Sequence, residues 1–401
     1  MWATLRTKPA QSAKIKGTQV VSAGGFQFDE AHFLAHYWQQ RPLLIPNALP
    51  GFRSPLSPEE LAGLACEPEI ESRIVGYREG VWSLADGPFQ AQDFQRDDLW
   101  TLLVQGVDRW VPEVAALRQA VSFLPNWRFD DIMVSYAVDG GSVGPHFDRY
   151  DVFLLQGEGE RLWRLGGLCD EHTPRIDHER LHLLESFTTL QEFLLKPGDV
   201  LYVPPGVAHW GVAAGACMTY SLGFRAPAVG HMMARLTDEV LDTIDPLLLL
   251  QDQSSVLNPG RPGELTQAHI DNARSAVLNA MTALDSGSWL AELLTEGASD
   301  EVLDEPISMV LPGQVMLTPD ARVVWIDRQD DSEWDAGAAN AEAANSVQVF
   351  AGGDCHWTSA AMIVTLERLC SGGTLEPDAH NEVQAALLDF LLEMGVLMNE
   401  E

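Results

Sequence analysis

Apolar residues recur along this chain with two different periods, and the change from one to the other divides it. DEAHFLAHYWQQ, from Asp29, places Phe33, Leu34, Tyr37 and Trp38 at helical spacing, and RPLLIP follows as a short strand closed by Pro46. Ser57-Pro58-Glu59-Glu60 reads as a capping box with proline at the first helical position and predicts a helix through Leu64. A hairpin is predicted near Arg73 to Leu84. From Asp131 the period shortens to alternation, in DIMVSYAV, HFDRYDVFLLQ, RLWRLG, DVLYVPP, WGVAA and MTYSLGF, with glycine and proline between the runs. Such short, evenly punctuated strands predict an antiparallel barrel or sandwich.

Beyond Pro227 the helical period returns in HMMARLTDEVLDTIDPLLLL and ELTQAHIDNARSAVLNAMTALD, before a polar stretch around Gly297 to Pro306. Strands QVMLT, RVVWID and VQVFAG then alternate with two predicted helices, WTSAAMIVTLERLC and AHNEVQAALLDFLLEMG, and AGAANAEAAN at 336–345 is a low-complexity loop. The expected organisation is a flexible N-terminal extension at 1–19, a β-rich domain at 20–227, a helical segment at 228–298 and a winged-helix-like domain at 299–401. Ile244 and Leu247 to Leu250 exceed what one helix buries against its own domain, which predicts a homodimer through the helical segment.

Composition narrows the partners. The net charge of −33, from 58 acidic and 25 basic residues, repels phosphate backbones and anionic lipid and attracts polycationic proteins. Between 228 and 401 there are 30 acidic residues, six arginines and no lysine, so nucleic-acid binding by the C-terminal domain is not expected. Five scattered cysteines without a CxxC pair fit free thiols in a reducing compartment, and no run of 18 apolar residues or signal-peptide core is present. A cytoplasmic protein without membrane contact is expected.

Candidate chemistry falls in the β-rich part. Alternation in HFDRYDVF puts His146 and Asp148 on one face of a predicted strand. His209 closes KPGDVLYVPPGVAH, a turn, strand and rigid exit that offer a third ligand. Two histidines and one carboxylate make the facial triad of non-haem iron(II) oxygenases, which leaves adjacent positions open for a chelating cosubstrate and dioxygen. A lone HxD occurs by chance in many chains; the weight here comes from both elements standing in the one β-rich region.

The motifs W-x-x-R-P-L-L-I (Trp38 to Ile45), S-P-x-E-L-A-G-L-A (Ser57 to Ala65), G-x-V-G-P-H-F-D-R-Y-D-V-F (Gly141 to Phe153), K-P-G-D-V-L-Y-V-P-P-G-V-A-H (Lys196 to His209) and Y-S-L-G-F-R-A-P (Tyr220 to Pro227) span about half the chain. In them the sequence resembles the JmjC-type ribosomal oxygenases of the cupin superfamily, in particular the bacterial branch that hydroxylates an arginine of a large-subunit ribosomal protein. The resemblance implies an α+β fold: a cupin/JmjC double-stranded β-helix barrel with flanking helices, then the helical dimerisation segment and the winged-helix-like domain. It implies Fe(II) held by His146, Asp148 and His209, with 2-oxoglutarate and dioxygen as cosubstrates and succinate and carbon dioxide as coproducts. It places the anchor for the distal carboxylate of 2-oxoglutarate at Arg161, on the strand after the GEGE turn; the plainer reading is a solvated strand residue opposite Glu158 or Glu160, with Arg164 facing solvent.

Thr219, Ser221 and Gly223 alternate with Met218, Tyr220 and Leu222, so one side of that strand is small and polar; Thr219 either joins the cosubstrate site or faces water. Asp130 and Asp131, with Ser221, are candidate acceptors for a substrate guanidinium, although Asp131 could equally cap the strand. His172, His178 and His182 read as a solvated insertion. The expected partner is a basic ribosomal protein. Histidyl hydroxylation, lysine demethylation and non-catalytic docking remain the rival functions.

Overall fold

The computed structural model describes residues 25–252, 261, 263–284, 287–296, 313–328, 346–378 and 380–399. The expected extension at 1–19, the polar stretch at 297–306 and the low-complexity loop at 336–345 lie outside them. The chain divides into two compact units, Met1–Ala226 with Thr318–Asp320 and Cys370–Gly373, and Pro227–Leu317 with Ala321–Leu369 and Thr374–Glu401.

In the first unit α1 (Glu30–His36) starts where the Asp29 carboxylate accepts the His32 N–H at 2.9 Å. It buries Phe33 edge-on against Tyr202, with ring centroids 4.8 Å apart. β1 (Leu43–Ile45) follows, and α2 (Pro58–Leu64) carries the predicted capping box, with Ser57 N–H donating to Glu60 Oε2 at 2.8 Å. The hairpin is β2 (Ser72–Arg78) and β3 (Val81–Asp86). β4 (Leu99–Val104), α3 (Pro112–Ala115), β5 (Phe129–Ala137), β6 (Asp151–Leu168), β7 (Gln191–Leu195), β8 (Val200–Val203) and β9 (Val207–Phe224) complete the unit. The nine strands form one sheet in the order β1-β8-β6-β9-β5-β4-β2-β3, with β7 also paired to β6.

Alternation along these strands separates two buried faces rather than a buried face from a wet one. Phe153, Leu155, Tyr202, Tyr220, Leu222 and Phe224 enter the large core shared with α1. Val152, Leu154, Trp163, Leu165, Leu201 and Val203 form a second, smaller cluster on the other face. The polar side chains of interest share that second parity, on the interior of the curled sheet.

Three expectations about strands are corrected. HFDRYDVF is not one strand: β6 begins at Asp151, and His146 makes only an isolated antiparallel bridge to His209, with N–H to O distances of 3.0 and 2.8 Å in the two directions. The GEGE sequence is no turn but lies inside β6, where register shifts between Gln156 and Glu160 take up extra residues against β9. There Gly159 has φ +62°, and a Cβ on it would meet Ala216 O at 2.2 Å. WGVAA and MTYSLGF belong to one 18-residue strand, β9. LWTLLV (β4) and QEFLL (β7) were not anticipated, because β4 is buried almost throughout and so shows no alternation.

The second unit holds α4 (Val229–Thr243), α5 (Gln267–Thr282) and α6 (Ser288–Thr295), then β10 (Val315–Leu317), β11 (Val323–Asp327), β12 (Val347–Ala351), β13 (Asp354–Thr358), α7 (Ile363–Cys370), α8 (Glu382–Glu393) and β14 (Leu397–Asn399). Its strands form a pair β10-β14 and a triplet β11-β12-β13. α4 ends before Asp245-Pro246, since proline disfavours helical backbone in the residue before it. Leu247 to Leu250 are therefore exposed irregular chain and not the end of a helix. The turn at Gly352-Gly353, both with positive φ, makes Asp354–Thr358 a strand where helix had been expected to begin.

Candidate metal and cosubstrate site

His146 is placed by a clamped loop. Ser142 Oγ donates to Gly211 O at 2.7 Å and accepts from Trp210 Nε1 and Gly144 N, both at 3.0 Å. Gly144 (φ +83°) lies so close to Leu183 that a Cβ would come within 2.8 Å of its side chain. The bridge to His209 then fixes the His146 backbone, and Gly206 N donates to Asp148 O at 2.8 Å. The two ligands of HFD are thus aligned by hydrogen bonds to the start of β9, not by strand alternation.

Ligand atoms of His146, Asp148 and His209 all lie within 4.8 Å of one another, the one such group of three among the described residues. Each imidazole directs Nδ1 at a backbone carbonyl, His146 at Gly144 O (2.9 Å) and His209 at Val207 O (3.0 Å). A carbonyl can only accept, so Nδ1 carries the proton and Nε2 keeps its lone pair for a metal. Burial draws the pKa of His146 down to about 4, aided by the nearby His209. Burial would raise Asp148, but its contact with His209, the two imidazoles and Tyr150 outweigh that and hold its carboxyl at about 2. Burial lowers His209 and Asp148 raises it, with Asp148 prevailing; its Nε2 stands 3.5 Å from Asp148 Oδ2. Two imidazole Nε2 atoms and a carboxylate fit a divalent cation such as Fe(II), which would take the place of any proton that His209 and Asp148 share.

Arg161 lies on the interior face of β6 and is only 3% exposed, which rejects the solvated alternative. Its Nη1 donates to Ser135 Oγ and Thr219 Oγ1, each at 3.2 Å, its Nε has no partner, and Trp163 lies under the guanidinium at 5.3 Å. Burial lowers its pKa, but from so high a starting point that it stays a cation at neutral pH. No carboxylate among the described residues forms an ion pair with it. A buried cation resting on two neutral hydroxyls suits an incoming anion, and the distal carboxylate of 2-oxoglutarate fits. Arg164, of opposite parity, pairs with Glu192 at 2.9 Å and is partly exposed.

The structure places the Thr219 hydroxyl against the Arg161 guanidinium and buries Ser221 on the same face of β9. Asp131 is also buried: its Oδ2 accepts from Gly106 N (2.8 Å) and Gln105 Nε2 (2.7 Å), so that oxygen already has two internal donors. Asp130 pairs with Arg225 at 2.6 Å. His178 accepts backbone N–H groups of Arg180 and Leu181, and neither it, His172 nor His182 joins the metal group. Sequence reasoning missed Ser142, Tyr150 and Trp163; no motif distinguishes a clamping serine from any other loop serine.

Residues 116–232 match the JmjC domain family. Fold and match define the class: a JmjC/cupin-like protein, whose barrel also brings together a candidate facial triad and a buried guanidinium. Over 211 residues the chain is 44% identical to ribosomal protein uL16 3-hydroxylase of Escherichia coli (strain K12), covering 52% of this chain and 56% of that one, little more than half the relative's length. It is 29% identical over 359 residues to the "Probable ribosomal oxygenase" of Haemophilus influenzae, covering 86% of each. The solved structure of YcfD, a ribosomal oxygenase from E. coli, in complex with cobalt and 2-oxoglutarate, matches with a TM-score of 0.73 at 29% identity over 94% of this chain and 99% of that one. The chain thus carries a JmjC domain and is similar, over that domain and beyond it, to proteins named as ribosomal oxygenases.

Proposed function

We propose that this protein is an Fe(II)- and 2-oxoglutarate-dependent dioxygenase that hydroxylates the β-carbon of an arginine in a large-subunit ribosomal protein. The observation that carries the reading is the pairing, in one barrel interior, of the His146, Asp148 and His209 group with a buried guanidinium that no carboxylate among the described residues pairs. The relatives named for uL16 3-hydroxylation and ribosomal oxygenation support the substrate class. When bound, the iron and 2-oxoglutarate supply the oxidising power, with dioxygen consumed and succinate and carbon dioxide released. The chain's own residues do the rest. His146 and His209 offer Nε2 lone pairs and Asp148 a carboxylate oxygen, Arg161 holds the cosubstrate's far end, and the apolar residues around Trp163 keep water from the reacting centre.

Asp130, Asp131 and Ser221 are proposed to meet the substrate guanidinium, with Asp130 exchanging Arg225 for the incoming arginine. Thr219 is a cosubstrate-site residue. The acidic second unit, with its winged-helix-like C-terminal part, is proposed to serve assembly and capture of a basic protein rather than nucleic acid, and the exposed Leu247 to Leu250 to cover one another in a homodimer. No helix among the described residues is long and apolar enough to cross a membrane, and a cytoplasmic site of action is proposed.

The test is to incubate the protein with Fe(II), 2-oxoglutarate and ribosomal protein uL16, then map the product by tandem mass spectrometry. One oxygen added to an arginine β-carbon is expected. Oxygen on a histidine, or loss of a methyl from lysine, would reassign the substrate; succinate formation independent of iron would remove the dioxygenase reading.

A further inference from the structure

The buried amide of Gln156 stands one residue away from the cosubstrate anchor in the hydrogen-bond chain, and the direction of each bond in that chain can be worked out. Gln156 is fully buried on β6, opposite Thr219 on β9. Its Nε2 donates to Glu158 O at 2.9 Å and to Gly159 O at 3.5 Å. These two carbonyls belong to the register shifts that follow Gln156. Carbonyls accept only, so the amide nitrogen must face them and Oε1 must face the other way, toward Thr219 Oγ1 at 3.2 Å.

A threonine hydroxyl has one proton. Because Gln156 Oε1 can only accept, that proton goes to Gln156, and Thr219 Oγ1 turns its lone pairs to Arg161 Nη1. Ser135 is set in the same sense, its Oγ donating to Thr219 O at 3.4 Å and accepting from Arg161 Nη1 at 3.2 Å. One guanidinium nitrogen is thereby held by two acceptors, while Nε stays unpartnered.

Resting on the reading of Arg161 as the 2-oxoglutarate anchor, we infer that Gln156 is a positioning residue for the cosubstrate. By taking the Thr219 proton it makes Thr219 an acceptor and keeps the Arg161 fork aimed at the distal carboxylate. Without Gln156, the Thr219 hydroxyl is free to rotate, and a proton turned toward Nη1 would repel the guanidinium it now holds. The bulge inside GEGE is then part of the site, since its freed carbonyls orient the amide.

The experiment is a double-mutant cycle on cosubstrate affinity. Iron(II)-loaded protein is titrated anaerobically with 2-oxoglutarate by calorimetry, for wild type, Gln156→Met, Thr219→Val and the double variant, with Arg161→Ala alongside. Gln156→Met is expected to weaken 2-oxoglutarate about tenfold, with the turnover loss falling on KM for 2-oxoglutarate rather than on kcat. In the Thr219→Val background the same change should add less than twofold, because there is no hydroxyl left to orient; Thr219→Ser should restore the sensitivity. Additive losses in the double variant would mean that Gln156 acts through the fold alone and would overturn the inference. So would wild-type affinity in Gln156→Met while Arg161→Ala is weak. Wild-type affinity in Arg161→Ala would instead remove the anchor reading beneath it. If Gln156→Met does not fold, Gln156→Glu provides the same cycle, and a loss larger than tenfold is expected because its carboxylate competes for the guanidinium.

Discussion

The two clusters of buried polar groups in the barrel interior are built on opposite plans. At the metal end, Asp148 and two imidazoles gather anionic and lone-pair donors around a point, and the structure spends backbone carbonyls to keep each Nε2 bare. At the Arg161 end a cation sits among hydroxyls, with an amide behind them and no ion-paired carboxylate among the described residues. One end is incomplete without a cation and the other without an anion. A small dicarboxylate that chelates a metal through one end answers both, so the pairing carries more functional information than either cluster alone.

The largest effect that could break this comparison is loss of a ligand. His146→Ala, Asp148→Ala and His209→Ala should each reduce turnover by more than about a hundredfold at limiting iron, while circular dichroism shows the fold retained. Turnover near wild type in any of the three would remove that residue from the metal site. At the other end, Arg161→Ala should raise KM for 2-oxoglutarate about a hundredfold, as expected when a buried charged partner is deleted at about 3 kcal/mol. Arg161→Lys should recover part of this. An unchanged KM would place the anchor elsewhere.

Asp108 sharpens the contrast, because it is a buried carboxylate outside the metal group that forms no ion pair among the described residues, although Arg118 is near enough to favour its charged form in part. Its Oδ1 accepts Ile132 N–H at 2.8 Å and its Oδ2 has no partner, and burial pushes its pKa up to about 6. The folded state therefore holds a proton that the unfolded state, with a pKa near 4, has released. Its contribution is most favourable below about pH 4 and is lost as pH rises through about 6, by about 2–3 kcal/mol. Chemical denaturation of Asp108→Asn across pH 4 to 7 should show that decline flattened; a constant difference from wild type would assign the pH dependence to other groups.

Two smaller effects follow. Ser142→Ala removes the clamp under the HFD loop and should lower iron affinity about tenfold, in the range for residues that orient metal ligands, as read by competition with a chelator. Wild-type iron affinity would show that the loop holds without it. In the second unit, Leu248→Ser and Leu249→Ser should change unfolding free energy by less than about 0.5 kcal/mol, since both side chains are exposed. Light scattering at micromolar concentration should show the dimer mass halved, and a wild type that is already monomeric would end the dimer proposal.

Much of the site was legible because its chemistry is local. HFD and the histidine that ends PPGVAH could be read directly as candidates, and parity along β9 assigned Thr219 and Ser221 to the face opposite Tyr220 and Leu222, where the structure has them. The Ser57 capping box was equally legible, being a contact over three residues. The expectation of a continuous strand through His146 failed for a different reason. Alternation reports which side a residue faces, not whether a neighbouring chain pairs with it, and only the His146 to His209 bridge decides that.

By itself the sequence determined the ligand types, the two periodicities, the acidic surface and the strand parity of Arg161, all of which depend on residue identity and near neighbours. Only the tertiary structure decided that Arg161 is buried with no carboxylate among the described residues paired to it, that Asp131 accepts from Gly106 and Gln105, and that the Thr219 hydroxyl meets Gln156 Oε1. Each of those depends on which strands, dozens of residues apart, come to lie side by side. Burial and hydrogen-bond direction are properties of that assembled neighbourhood, and no local pattern encodes them.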